Sequence, residues 1–266
     1  MNRRVHELQQ QAVQTMHTTI EEAGRFLRWA ASALVVGTIV GGLIGLFRMA
    51  VSWAVQMRAA HPAILFALPL AGAAIVWLYH CCGLDTDPGT DHILRSVRAE
   101  PGVHLRMAPL VAVSTVLTHL CGGSSGRMGA ALQIGGSVSG VLGHWANMDE
   151  KDSHIITMCG MAAGFSALFG TPLAAAVFAM EVVSVGEMYY AAFFPCLFSA
   201  FSAFLVTGAM GLSADAYQVV SVPDISAVSV LQVVLLGIGC ALVARLFCAA
   251  LRMARRAYGA VFPDTG

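Results

Sequence analysis

Between Cys121 and Gly140 the chain reads CGGSSGRMGAALQIGGSVSG, with seven glycines, four serines and a single arginine, Arg127. Gly122 to Gly129 breaks the helical pattern, and helix-forming residues resume at about Met128. A helix that starts there exposes unpaired backbone N–H groups and carries a partial positive charge. Such a start suits an anion. In water it would cradle a phosphate, although no Lys-Ser or Lys-Thr follows the glycines, so this is not a Walker loop. Within a bilayer the same amide dipoles replace the water that a small anion loses. Dipoles hold an anion weakly enough to release it, as a conducting pathway requires. The glycines equally suit a turn or a close packing contact, and the surrounding chain has to decide.

Two other stretches carry polar groups of interest. In DTDPGTDHIL, residues 85–94, Pro88 and Gly89 make a turn, and Thr90 or Asp91 suits the N-cap of a short helix from His92. That start would offer further N–H groups and a hydroxyl; an ordinary polar loop is the other reading. In GMAAGFSALFGTPLAAAVFAMEVV, residues 160–183, Gly170, Thr171 and Pro172 interrupt an apolar run. Pro172 suits a first helical position and Thr171 its N-cap, so two helices meet there at a sharp break. Glu181, the only acid between Asp152 and Glu187, serves as a proton relay or as a structural anchor. Its place nine residues after Pro172, towards the end of that helix, favours the anchor.

The remaining candidates are weaker. His119 has no second ligand at metal-binding spacing, so a packing histidine is expected and no metal site. Arg48 and Arg245 lie late in apolar segments and are expected to snorkel to an interface. No Ser/His/Asp or Cys/His set has a recognisable order, so neither an enzyme nor a cofactor is expected. None of the seven cysteines forms a C-x-x-C pair, and they read as small buried hydrophobes.

Composition settles the solvent. Of 266 residues 57% are apolar and 11% charged, with a mean hydropathy of +0.72. Soluble domains carry about a quarter charged residues, and no single soluble fold hides so much apolar surface. The formal net charge is zero, so nothing points to nucleic acid as a partner. The bilayer is the expected environment.

Residues 1–28 place Val5, Leu8, Ala12, Met16, Ile20, Ala23 and Leu27 at intervals of three and four. This stretch is too polar for a signal peptide and predicts an amphipathic helix on the cytoplasmic membrane surface. Apolar segments follow at about 29–57, 63–82, 107–120, 129–146, 154–168, 171–185, 189–211 and 228–251. The first two and last two are long enough to span, while those between 107 and 185 are mostly short and broken by Gly or Pro. Broken helices at membrane depth are tolerated only where protein or a water-filled cavity covers them, and they mark ion and substrate pathways. Gly37, Gly41 and Gly45 repeat every four residues, as do Gly122, Gly126 and Ala130, a spacing that lets helices approach closely. Arg3, Arg4, Arg25 and Arg28 precede the first span and Arg252, Arg255 and Arg256 follow the last, which puts both ends in the cytoplasm. The expected organisation is an interfacial helix over 1–28, a membrane domain over 29–257 and a tail over 258–266.

GGSSGRMGAALQIGGSVSG resembles the anion-pathway helix of the CLC chloride channel and transporter family, whose motif is G-[KR]-E-G-P followed by a V/L-Q-I/M-G-G stretch. GMAAGFSALFGTPLAAAVFAMEV is similar to that family's later G-x-x-A-G-[FL]-x-x-x-F-x-x-P-L-x-x-x-x-F-x-x-E segment, in the same order. GGSSGR and FGTPL resemble the bacterial branch that includes fluoride exporters. The resemblance implies an all-α membrane fold of tilted, broken helices in two inverted halves, working as a homodimer in the bacterial inner membrane. It implies an anion, chloride or fluoride, where helix N-termini converge. Carried over by position, Gly126, Arg127, Gly129 and Ala130 form an anion cradle. Gly89 and Thr90 take the place of the family's serine-bearing loop, where only Gly89 matches the motif.

The departures from the family pattern bear on mechanism. The family's gating glutamate falls at Met128, its proline at Ala130, and the exchangers' internal proton-transfer glutamate at Val182, beside Glu181. Neither Met nor Val carries a proton, so the resemblance implies channel-type anion passage without the usual proton coupling. It covers about residues 30–210, the first inverted half, and 228–257 read as the opening helix of the second. The family's G-x-F-x-P motif and pore tyrosine have no counterpart, so a separate C-terminal half is an expected partner. The alternative is a non-transporting membrane protein or assembly partner of the same fold.

Overall fold

The structure, a computed structural model, describes residues 2–84, 105–183, 189–212 and 226–261. Among them every regular element is helical. They fall into two compact units, Met1–Ala216 and Tyr217–Gly266, with the boundary inside the stretch expected as one membrane domain. The first unit holds α1 (Asn2–Ala60), a 3-10 turn at Pro62–Ala67, α2 (Leu68–Cys82), α3 (Met107–Leu120), α4 (Arg127–Trp145), α5 (Glu150–Phe169), α6 (Pro172–Val183), a second 3-10 turn at Tyr190–Ala192, and α7 (Phe193–Ala209). The second unit is α8 (Ala227–Val261), a single apolar helix whose large hydrophobic side chains are exposed.

Among the described residues four helical stretches are long and apolar enough to cross a membrane: Phe26–Ala60, Pro62–Cys82, Tyr190–Ala209 and Ala227–Ala260. They coincide with the four segments expected to span. Met107–Leu120 and Pro172–Val183 are apolar but short. At its start the chain departs from expectation: α1 runs unbroken from Asn2, so the amphipathic stretch and the first span are one helix. No Gly or Pro stands between residues 25 and 36 to break it.

One stripe of α1, formed by Ala33, Val36, Val40, Ile44, Phe47, Val51 and Ala54, is buried at the three- and four-residue spacing of a helix face. The Gly37 and Gly41 positions lie against Ser199 and Ala203 of α7, and a Cβ on Gly41 would come within 2.7 Å of the Ala203 Cα. The glycine stripe is therefore a packing device. Polar clasps reinforce the contact, with Thr38 and Ser202 hydroxyls 2.9 Å apart and Ser202 Oγ donating to the Leu34 carbonyl at 3.1 Å. Such bonds average about 0.6 kcal/mol each in lipid, so they tune packing more than they drive it.

At the centre lies α5, whose residues Ile155 to Gly164 are all buried. Its glycines admit α4: Gly160 touches Gly135 and Ser139, and Gly164 lies against Ala131, where a Cβ would come within 2.5 Å of the carbonyl oxygen. Buried Ser166 donates to the Ala200 carbonyl of α7 at 2.7 Å. Arg48 does not snorkel as expected. Its guanidinium donates to the Ala167 carbonyl at 3.0 Å, placing a cation at the negative C-terminal end of α5.

Candidate anion site at the start of the fourth helix

α3 stops where its sequence provides a glycine for a left-handed turn. Gly122 has φ +81°, Gly122 N–H donates to the His119 carbonyl at 3.1 Å, and Gly123 N–H donates to that of Thr118 at 2.8 Å. This is a Schellman stop, which satisfies the last carbonyls of α3. Gly122 and Gly126 thus stand in a loop and not on a helix face, so their four-residue spacing with Ala130 is no packing stripe. Leu65 and Arg58 lie against Gly122, and Leu68 against Gly123, so the loop is held from the side of α1 and α2. His119 Nδ1 donates to the Thr115 carbonyl at 2.8 Å, the local bond of a packing histidine.

Gly126 then caps α4 in an extended conformation, φ −72° and ψ 110°, and no side chain bonds the cap. A Cβ there would meet nothing within 4 Å, so the space beside the cap is open. The first bond of the helix runs from Ala130 N–H to the Gly126 carbonyl and is long, 3.5 Å. Ala130 was expected in the cradle, but its amide already has this acceptor. The donors left over are the N–H groups of Arg127, Met128 and Gly129, for which no acceptor is found among the described residues.

The electrostatics favour an anion. The first turn of α4 contains no acid, and Arg127, its first residue, puts a cation at the positive end of a helix, against the usual preference. Both Arg127 and Met128 are exposed, Gly129 is half-buried, and Ala130 to Ser139 are buried. The start of the helix is therefore open while its body is anchored in α5.

The other candidate residues stand as follows. Gly89 and Thr90 lie outside the described residues. Gly170 ends α5 in the left-handed region, φ +71°, and Pro172 opens α6, the break read from the sequence. Glu181 is exposed two residues before α6 ends, and Val182 is half-buried against the core. Among the described residues no group of three or more metal-ligating side chains occurs. Cys121, Cys159 and Cys196 are buried as expected, but Cys81, Cys240 and Cys248 are exposed. A groove of about 620 Å³ between α1, α3 and α4 is lined by Leu43, Phe47, Ala108, Leu120, Ile134 and Val138 among other apolar residues. It offers an anion no donor, unlike the start of α4.

Sequence reading missed the contact between α4 and α5. The signal was present in Gly160 and Gly164, four residues apart, and in the pair Gly135–Gly136.

A family model described as voltage gated chloride channel matches residues 71–263. The chain belongs to that family. It is 38% identical over 224 residues to a chloride/fluoride channel protein of Pseudomonas syringae pv. tomato, covering 84% of this chain and 50% of that protein. It is 31% identical over 170 residues to an H(+)/Cl(-) exchange transporter of Salmonella arizonae, covering 56% of this chain and 35% of that one. The fold matches the crystal structure of a CLC-type fluoride/proton antiporter with a TM-score of 0.85 at 30% identity, covering 90% of this chain and 61% of the other. The chain therefore spans at most about half the length of these curated relatives. It is an all-helical, multi-pass membrane protein of the CLC fold, and family members with this fold are channels or transporters.

Proposed function

We propose that this chain forms the amino-terminal, anion-selecting half of a channel-type CLC protein that passes chloride or fluoride without the usual proton coupling. The observation that carries the reading is the N–H row of Arg127, Met128 and Gly129, unpaired among the described residues, behind a cap that has no side chain. A halide reaching that point exchanges water for three fixed dipoles in a region of low dielectric, which strengthens each contact without creating an ion pair too tight to leave. Gly126 gives the anion close access to the backbone. The family resemblance assigns Thr90, which lies outside the described residues, as a hydroxyl donor.

Proton coupling is assigned away on side-chain chemistry. Met128 stands at the gating position and Val182 at the internal transfer position, and neither titrates. Glu181 is a structural acid at the end of α6. Two copies form the working unit, as family resemblance implies, in the bacterial inner membrane, and a C-terminal half completes the ion's coordination.

The test is halide efflux from proteoliposomes loaded with chloride or fluoride, with and without a proton gradient. Efflux above that of empty vesicles, indifferent to the gradient, is expected. Vesicles that retain halide as well as empty ones would contradict the reading and leave a non-transporting membrane protein as the better account. Flux driven by the proton gradient would overturn the uncoupled mechanism alone.

A further inference from the structure

The glycine loop before α4 is overlain by a second arginine from elsewhere in the chain. Arg58, in the last turn of α1, lies with its Cδ 3.1 Å and its Nη1 4.0 Å from the position a Cβ on Gly122 would occupy. Only a glycine there, at φ +81°, lets the arginine stem lie so close to the backbone. Arg58 is exposed, and among the described residues no carboxylate or carbonyl is found paired with it. The same holds for Arg127, at the other end of the same loop. Two unneutralised guanidinium groups thus flank the six residues from Cys121 to Gly126.

Among the described residues nothing beside the loop cancels that charge; the acids Asp85, Asp87, Asp91 and Glu100 lie outside them. No Asp or Glu occurs in residues 23–84 or 101–148, which include the end of α1, α2, α3 and α4. The end of α1 and the start of α2 that hold the loop are therefore free of acid, and the two arginines and the open end of α4 add to one positive field. Low-dielectric walls focus such a field and raise the local concentration of an oppositely charged solute.

We propose that Arg58 is a steering residue for the anion, holding a fixed positive charge over the glycine loop so that halide concentrates beside the free amides of α4. It acts through the field and not as a ligand, since the amides and not the guanidinium make the contact. A cation in the last turn of α1 also suits the negative end of that helix, but a role confined to α1 would be indifferent to halide. This inference rests on the anion reading of the α4 start and assigns it a charge that the sequence motif does not contain.

The test is chloride binding to the purified full chain in detergent, followed by chlorine-35 NMR linewidth during sodium chloride titration, with gluconate as the background anion. At low ionic strength, where the field reaches about 30 Å, Arg58→Gln is expected to weaken apparent chloride affinity about threefold, and Arg58→Glu more. Arg58→Lys should retain wild-type affinity, and the differences should shrink in about 1 M gluconate, where screening cuts the reach to about 3 Å. Thermal unfolding of each variant verifies that the fold is kept. Equal affinity of Arg58→Gln and wild type overturns the inference while leaving the anion site intact. Failure of Arg58→Lys to restore affinity, or a loss that persists in high salt, assigns Arg58 a structural role and also overturns it. Absence of chloride binding by the wild type overturns the anion reading itself, and this inference with it.

Discussion

Among the described residues the chain twice stops a helix on a left-handed glycine and starts another within a few residues, and the two junctions differ in what they leave open. At the first, Gly122 ends α3, five residues later Arg127 opens α4, and the cap between is Gly126. At the second, Gly170 ends α5 and Pro172 opens α6 directly, with Thr171 between; the Thr171 carbonyl accepts from Ala175 N–H at 2.9 Å. Proline has no N–H and threonine is a capping residue type, so the second start has few donors and a side chain suited to satisfy one of them. The first has three donors, no capping side chain and open space in front. On the proposed reading the start of α4 can offer its amides to an anion because Gly126 brings no side chain to take them.

Substitutions can break or sharpen that contrast. The largest loss is expected from Gly160→Ala, because a Cβ there meets Gly135 and Ser139 of α4. Overpacking of this kind costs about 3 kcal/mol, read as lowered unfolding stability in micelles, and it should disturb the first junction by moving the helix that carries it. Next, Gly122→Val and Gly170→Val each force a β-branched residue into the left-handed region, at about 2 kcal/mol apiece. Unfolding stability should fall at both junctions, more for Gly122→Val because its Cβ also meets Leu65 and Arg58, and chloride binding should fall only for Gly122→Val.

The cap itself gives the sharper contrast. Gly126→Asp has room for its side chain and should cap α4, raising stability by about 0.5–1 kcal/mol while weakening halide binding about tenfold. A neutral cost to binding would mean that the amides are not the ligands. Met128→Glu should introduce a carboxylate that competes with halide for the same amides. Because the charged form is the competitor, efflux should be low at about pH 8 and recover towards about pH 4 as the group protonates. Efflux that is flat across that range would show that residue 128 does not lie on the pathway. The smallest effect belongs to Thr171→Ala, with a loss of about 1 kcal/mol or less from α6 and no change in chloride affinity.

Much of this contrast was legible in the residues. The break at Gly170–Thr171–Pro172, the restart near Met128 and the four long apolar spans follow from glycine, proline and apolar run length, which act locally. The unbroken α1 was not legible, because a change from polar to apolar faces leaves helix propensity untouched and only tertiary surroundings reveal continuity. Nor was the role of Arg48. Its partner carbonyl at Ala167 is distant in sequence, and nothing in an apolar segment distinguishes a snorkelling arginine from one that caps another helix. In the proposed cradle the Ala130 amide has no part, since it bonds to the Gly126 carbonyl.

The most direct measurement follows the backbone amides while halide is titrated. In full-length protein labelled with nitrogen-15 at arginine, methionine, glycine, leucine and alanine, the Arg127, Met128 and Gly129 resonances should shift saturably with chloride or fluoride. Those of Leu173 and Ala174, at the start of α6, should not move. Amides at 127–129 that stay fixed through the titration, or that move no more than those at 173 and 174, would contradict the account.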